Sequence, residues 1–217
     1  MNKQNKKKNK RKLILEAALE IFSIKGVDKG TVAEIADKAG IGKGTIYHYF
    51  DSKEQIFTQL IDFFFADWMS EWEQVIDSEH SPLQKVEIII DRTFDIYEEI
   101  AEERSRRQLV IMCEIIRFAF QQSLERKSDI GLSELFRKLY AKLKPIIKEG
   151  IKEGIFKDQD TKHLCFVAFG LLDGFSIHYL LQKNHYSLEK SREITKNILL
   201  GGLLKDEYKY NIRRREK

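Results

Sequence analysis

Along almost the whole chain the apolar residues recur at the helical repeat, and no segment shows the two-residue alternation of a strand. From Leu13 onward Ile14, Ala17, Ala18, Ile21 and Phe22 return at three and four. That predicts an amphipathic helix with one buried face, closed by Gly26. "TVAEIADKAG" follows. Thr31 and Glu34 have the spacing of a capping box, Val32, Ile35 and Ala36 supply an inner face, and Gly40 with Ile41 reads as a glycine stop with an apolar lock. A second short helix over 42–49 completes a helix-turn-helix, with Ile46 as its plug into the core. Ser52 and Gln55 form another capping box. The helix they open is expected to run unbroken to Ile76. Ser81-Pro82 with Gln84 opens the next. Helical periodicity then covers 82–103, 105–125 and 131–153, breaks at "EGIFKDQD", and resumes over 161–183 and 187–205. The predicted fold class is all-α, with about nine helices and no internal repeat.

Only two prolines interrupt 217 residues, as a helical chain requires. Charge sharpens the picture. Residues 1–53 carry twelve Lys/Arg against six Asp/Glu, whereas the remainder carries 26 against 28. A basic head on a nearly neutral body points to a polyanionic partner. Seven of the head's cations lie in residues 1–12, expected to be a flexible basic arm, and the basic tail "YKYNIRRREK" is expected to fray. The N-terminus has no apolar stretch of signal-peptide type, and Cys113 and Cys165 stand alone, so the expectation is a cytoplasmic protein with two buried thiols. The run Leu164 to Leu181 is near membrane length, but Asp173, Ser176 and His178 within it argue against a bilayer span. No metal spacing, phosphate loop, dinucleotide motif or nucleophile–base set is present, so neither enzyme nor cofactor is expected.

At about 100° per residue, with Ile46 toward the core, Phe50 and Tyr49 lean inward. Gly44, Thr45, Tyr47 and His48 then face out, with Lys43 at the exposed N-terminal edge. The bare first turn admits close approach, and a helix N-terminus favours anions. DNA explains this set. Lys43, Thr45 and His48 suit base edges or phosphates, and the hydroxyls of Thr31, Tyr47 and Tyr49 suit phosphate oxygens. Lys53 is a cation in the first turn of a helix, where a phosphate opposite it would account for the choice.

"ILEAALEIFSIKGVDKGTVAEIADKAGIGKGTIYHYFDSKEQIF" resembles the DNA-binding domain of the TetR family of bacterial transcriptional repressors. The resemblance covers about a quarter of the chain and rests on T-x-x-E-I-A followed by A-G-I-x-x-G-T-I-Y-x-Y-F-x-S-K-E. It implies a DNA-binding domain over 13–53 and an effector-binding and dimerisation domain over 54–217. It places Thr31, Tyr47 and Lys53 at phosphates, and Lys43, Gly44, Thr45 and His48 in or near the major groove of a palindromic duplex operator.

Beyond the head, the segment 161–183 is apolar on most sides, and 187–205 adds Ile194, Ile198, Leu199, Leu200, Leu203 and Leu204. This exceeds what one small domain buries, so residues 161–205 are read as a homodimer seam. The resemblance implies a four-helix bundle there. The middle segments collect Phe64, Trp68, Trp72, Phe94, Tyr97, Phe118, Phe136 and Tyr140. Most aromatic residues are core. The resemblance nevertheless implies a small hydrophobic effector held among these helices, with Glu114 and Asp173 as candidate polar anchors. The alternative is an architectural DNA-binding protein with no effector.

Overall fold

The computed structural model describes residues 3–101, 106–124, 132–182 and 184–209. Among the described residues ten helices run in the order α1 Lys3–Lys29, α2 Val32–Ala39, α3 Lys43–Ile46, α4 Lys53–Phe64, α5 Ala66–Ile76, α6 Pro82–Ala101, α7 Arg106–Leu124, α8 Leu132–Lys152, α9 Thr161–Gln182 and α10 Leu188–Leu203. A single helical turn, 206–209, follows. Among the described residues the only pairing of strand type is the isolated bridge between Phe156 and Leu204.

Several expectations change. Residues from Lys3 to Lys12 continue α1 instead of forming an arm outside it, because straight-chain lysines and arginines are good helix formers. Arg11 anchors this end. Its guanidinium lies 5.3 Å from the Phe50 ring centroid and donates to the Gln59 side-chain oxygen at 2.8 Å. The helix expected from Ser52 to Ile76 is broken at Phe65 (φ −92°, ψ 2°). Three successive phenylalanines meet there, and Phe65 lies edge-on to Phe64 and tilted against Trp68. Cys113 is exposed, while Cys165 is buried. The end of the basic tail, 210–217, lies outside the described residues.

The termini of the short helices follow from side-chain chemistry. The Glu34 N–H donates to Thr31 Oγ1 at 3.2 Å, and the Thr31 N–H donates to Glu34 Oε2 at 2.9 Å, a complete capping box. The Lys25 ammonium, then the Thr31 N–H, holds the Glu34 carboxyl down at about 2. Gly40 sits at φ 65°, ψ 33°, and the Ile41 N–H closes back on the Ala36 carbonyl at 3.0 Å. Only a residue without a Cβ adopts that turn without strain. At Ser52 the box is incomplete. Ser52 Oγ accepts from the Gln55 N–H, but Gln55 Oε1 reaches the Asp51 N–H instead.

The chain forms two compact units, Met1–Met69 with Glu103–Phe136, and Ser70–Glu102 with Arg137–Lys217. In the first, α1, α2, α4 and α7 pack around Phe22, Phe57 and Phe118, whose rings meet edge to face at 5.8 and 5.0 Å. In the second, Phe94, Tyr97 and Phe175 centre a core with Phe156, Leu172 and Leu200. Arg192 pairs with Asp95 and Lys196 with Asp91, each at 2.8 Å, which ties α10 to α6.

The end of α8 gives the first testable expectation. The Ile155 N–H bonds the Gly150 carbonyl at 2.9 Å, and Gly154 takes φ 75°, so the chain doubles back and seats Phe156 against Gly150. Phe156 is fully buried, and a Cβ at position 150 would overlap its ring. Gly150→Ala is expected to cost about 1–3 kcal/mol, seen in urea unfolding as a lower midpoint with an unchanged slope.

Candidate nucleic-acid interface

Ile46 and Phe50 are buried to within 1 % and fix the azimuth of α3 against the first core. That leaves Lys43, Gly44, Tyr47 and His48 exposed and Thr45 half-buried on the opposite face. Tyr49 is half-buried and packs against the core. The segment is shorter as α-helix than expected. Beyond Ile46 it tightens, with His48 bonding the Thr45 carbonyl at 3.2 Å and Tyr49 the Ile46 carbonyl at 2.9 Å. Thr31 stands at the start of α2. The Lys53 ammonium donates to the Asp28 and Gly30 carbonyls at 3.0 and 3.2 Å, so two backbone acceptors already account for a cation at the start of α4. An ammonium has three donors, and these bonds use two of them.

The ten residues expected around an effector are divided between the two units. Phe64, Trp68, Glu114, Phe118 and Phe136 lie in the first unit, and Trp72, Phe94, Tyr97, Tyr140 and Asp173 in the second. Glu114 is committed elsewhere. Its carboxylate accepts the Val27 N–H at 3.1 Å and the Arg117 guanidinium at 3.0 Å. Phe118 packs on Phe57. In the second unit Phe94 and Tyr97 form an aromatic group with Phe175 and Tyr179, and the Tyr97 hydroxyl donates to the Leu172 carbonyl at 3.1 Å. Burial, then the nearby Asp173 carboxylate, raises the Tyr97 pKa. Asp173 is exposed as a residue, yet partial desolvation of its carboxyl pushes it up to about 6.

Phe175, Tyr179 and Arg192, whose guanidinium lies 5.7 Å from the Phe94 centroid, were absent from the expected set. The i, i+4 spacing of Phe175 and Tyr179 on an apolar helix was a usable signal for the first two. Arg192 comes from a distant helix with no local signature.

The helix α9 is long and apolar enough to cross a membrane by length and composition. Its apolar residues are unevenly covered. Phe166, Val167, Leu171, Ile177 and Leu181 are exposed, as are Ile194 and Ile198 of α10. Gly170 and Gly174 have open space where a Cβ would stand.

A family model described as bacterial regulatory proteins, tetR family, matches residues 14–60. A second, described as the C-terminal region of YsiA-like proteins, matches residues 64–202. The chain is 27 % identical over 207 residues to the HTH-type transcriptional repressor KstR2 of Mycolicibacterium smegmatis, covering 92 % of this chain and 93 % of that one. In fold it is similar to the fatty acid degradation regulator FadR of Bacillus halodurans, with a TM-score of 0.68, 22 % identity, and coverage of 89 % of this chain and 95 % of that chain. It is likewise similar to FadR of Bacillus subtilis, solved in complex with stearoyl-CoA, with a TM-score of 0.64, 23 % identity, and coverage of 88 % and 97 %. With one model on the helix-turn-helix and the other on most of the remainder, the chain belongs to the tetR family of bacterial regulatory proteins.

Proposed function

We propose that this protein is a cytoplasmic homodimeric repressor that leaves its operator when a small hydrophobic effector binds. The observation that carries the DNA-binding reading is the solvent-facing set Lys43, Gly44, Tyr47 and His48, held by the buried Ile46 and Phe50. In this reading Lys43, Gly44, Thr45 and His48 meet the major groove, and Thr31, Tyr47, Tyr49 and Lys53 meet phosphates. The exposed apolar residues of α9 and α10 are the seam of the dimer. A two-fold dimer presents two copies of α3, which fits a palindromic operator with half-sites about one helical turn, ~34 Å, apart.

The effector reading is supported by the family to which the chain belongs. Release requires that the effector prefer the form that does not bind DNA, since equal affinity for both forms shifts nothing. Stearoyl-CoA, bound by the Bacillus subtilis neighbour, is a suitable first probe. Trp68 and Trp72 supply an intrinsic signal. Titration is expected to change tryptophan fluorescence and lower affinity for a duplex selected by the protein from random sequences, both over one concentration range. A saturated fluorescence change with unaltered DNA affinity would sink the release mechanism. Tight duplex binding that responds to no hydrophobic compound would favour a constitutive DNA-binding protein.

A further inference from the structure

The C-terminal end of α1 is not a plain helix end. Gly26 takes φ 75° and ψ 163°, outside helical geometry, and interrupts the hydrogen-bond ladder of α1. The N–H of the next residue, the buried Val27, points instead at α7, where Glu114 Oε2 accepts it at 3.1 Å. The Glu114 side chain is only 19 % exposed, and its orientation is set by Arg117, which donates to the same oxygen at 3.0 Å and pairs with Asp28 at 3.1 Å. The fit at Gly26 is close, because a Cβ there would stand 3.3 Å from Glu114 Oε1.

The other side of the same segment is held by the helix-turn-helix. The Gly30 N–H bonds the Gly26 carbonyl at 3.1 Å, and Lys53 clasps the Asp28 and Gly30 carbonyls. Thr31, the cap of α2, follows directly. Five residues, Gly26 to Gly30, are therefore fixed by a carboxylate and a guanidinium of α7 on one side and by the first residue of α4 on the other. All of these groups lie in one compact unit.

We infer that Glu114, oriented by Arg117, is a positioning residue for operator recognition. By capping the Val27 N–H it sets where α2 starts, and with it the attitude of α3, from a helix that is not part of the helix-turn-helix. The inference rests on the DNA-binding reading above. A neutral amide oxygen can accept the same N–H, whereas a methyl group cannot. Removing the acceptor leaves a buried donor without a partner, so the segment relaxes and α3 loses its fixed presentation.

The test uses the full chain, a duplex selected by the wild-type protein from random sequences, and three readouts: duplex affinity, melting temperature, and amide exchange at Val27. Glu114→Ala is expected to weaken binding about tenfold, within the usual range of coupling between separated sites, and to speed exchange at Val27. Glu114→Gln is expected to restore both. Rescue by the amide distinguishes positioning from bulk stability. The inference is overturned if Glu114→Ala binds as wild type, if Val27 exchange is unchanged, if glutamine does not rescue, or if affinity per folded molecule stays constant while melting temperature falls. A wild-type protein that selects no duplex, with Val27 exchange still dependent on Glu114, would remove the DNA-binding reading while leaving the cap itself in place.

Discussion

Tyr47→Ala and Lys43→Ala are each expected to weaken operator binding by about 1–3 kcal/mol while leaving the melting temperature nearly unchanged. Both side chains are exposed, and the azimuth of α3 is fixed by Ile46 and Phe50, which the substitutions leave alone. Stability and binding therefore separate. The two variants are also expected to differ from each other. An ammonium that meets a phosphate releases a counterion, so Lys43→Ala lowers the salt dependence of binding if its contact is to the backbone, and relaxes sequence preference if it reads a base edge. Competition binding at two salt concentrations against selected and scrambled duplexes checks this. A melting temperature that collapses together with affinity would show that Tyr47 serves the core.

Phe166→Glu is expected to convert the dimer to a monomer at micromolar concentration and to abolish tight operator binding with it. Phe166 is 75 % exposed in the single chain, so the substitution leaves the monomer core intact. Across a seam it replaces a buried ring with an unpaired carboxylate. Losing the apolar burial alone is worth about 3 kcal/mol, roughly a hundredfold in dissociation constant, before the cost of the buried charge. Ile177→Glu is expected to act alike, because Ile177 is exposed on the same helix. Multi-angle light scattering gives the mass, and circular dichroism confirms that the helices persist. A wild-type protein already monomeric at that concentration, or a Phe166→Glu protein still dimeric, would remove α9 from the seam.

The separation between local and tertiary information is clear at particular residues. Several features decided within a few positions of the chain were legible in the sequence alone, although the break at Phe65 and the incomplete box at Ser52 were not. The capping box at Thr31 and Glu34, the glycine stop at Gly40 with Ile41 folded back, the start of α6 at Ser81-Pro82, and the outward face of α3 opposite Ile46 all depend on spacings of three or four residues. Helical periodicity and these short-range bonds made all of them readable, as did the pattern that carries the family resemblance.

Other features were decided by what arrives from far along the chain. Glu114 in an apolar run had the signature of a pocket anchor, but it is 87 positions from the Val27 N–H that it accepts. Nothing near Glu114 announces a helix break at Gly26 that leaves a donor facing it. The two carbonyls that the Lys53 ammonium reaches, those of Asp28 and Gly30, lie more than twenty positions away and have no local signature. The ten expected effector residues share composition, yet five lie in one compact unit and five in the other. Apolar periodicity states that a face is buried, but not against what. The partner of each face, and the acceptor of each buried N–H, is fixed only when distant helices pack. For this protein the sequence determined the all-α class, most of the helices and the outward face of α3, and the tertiary structure decided what each helix packs against and that Glu114 of α7 accepts the Val27 N–H.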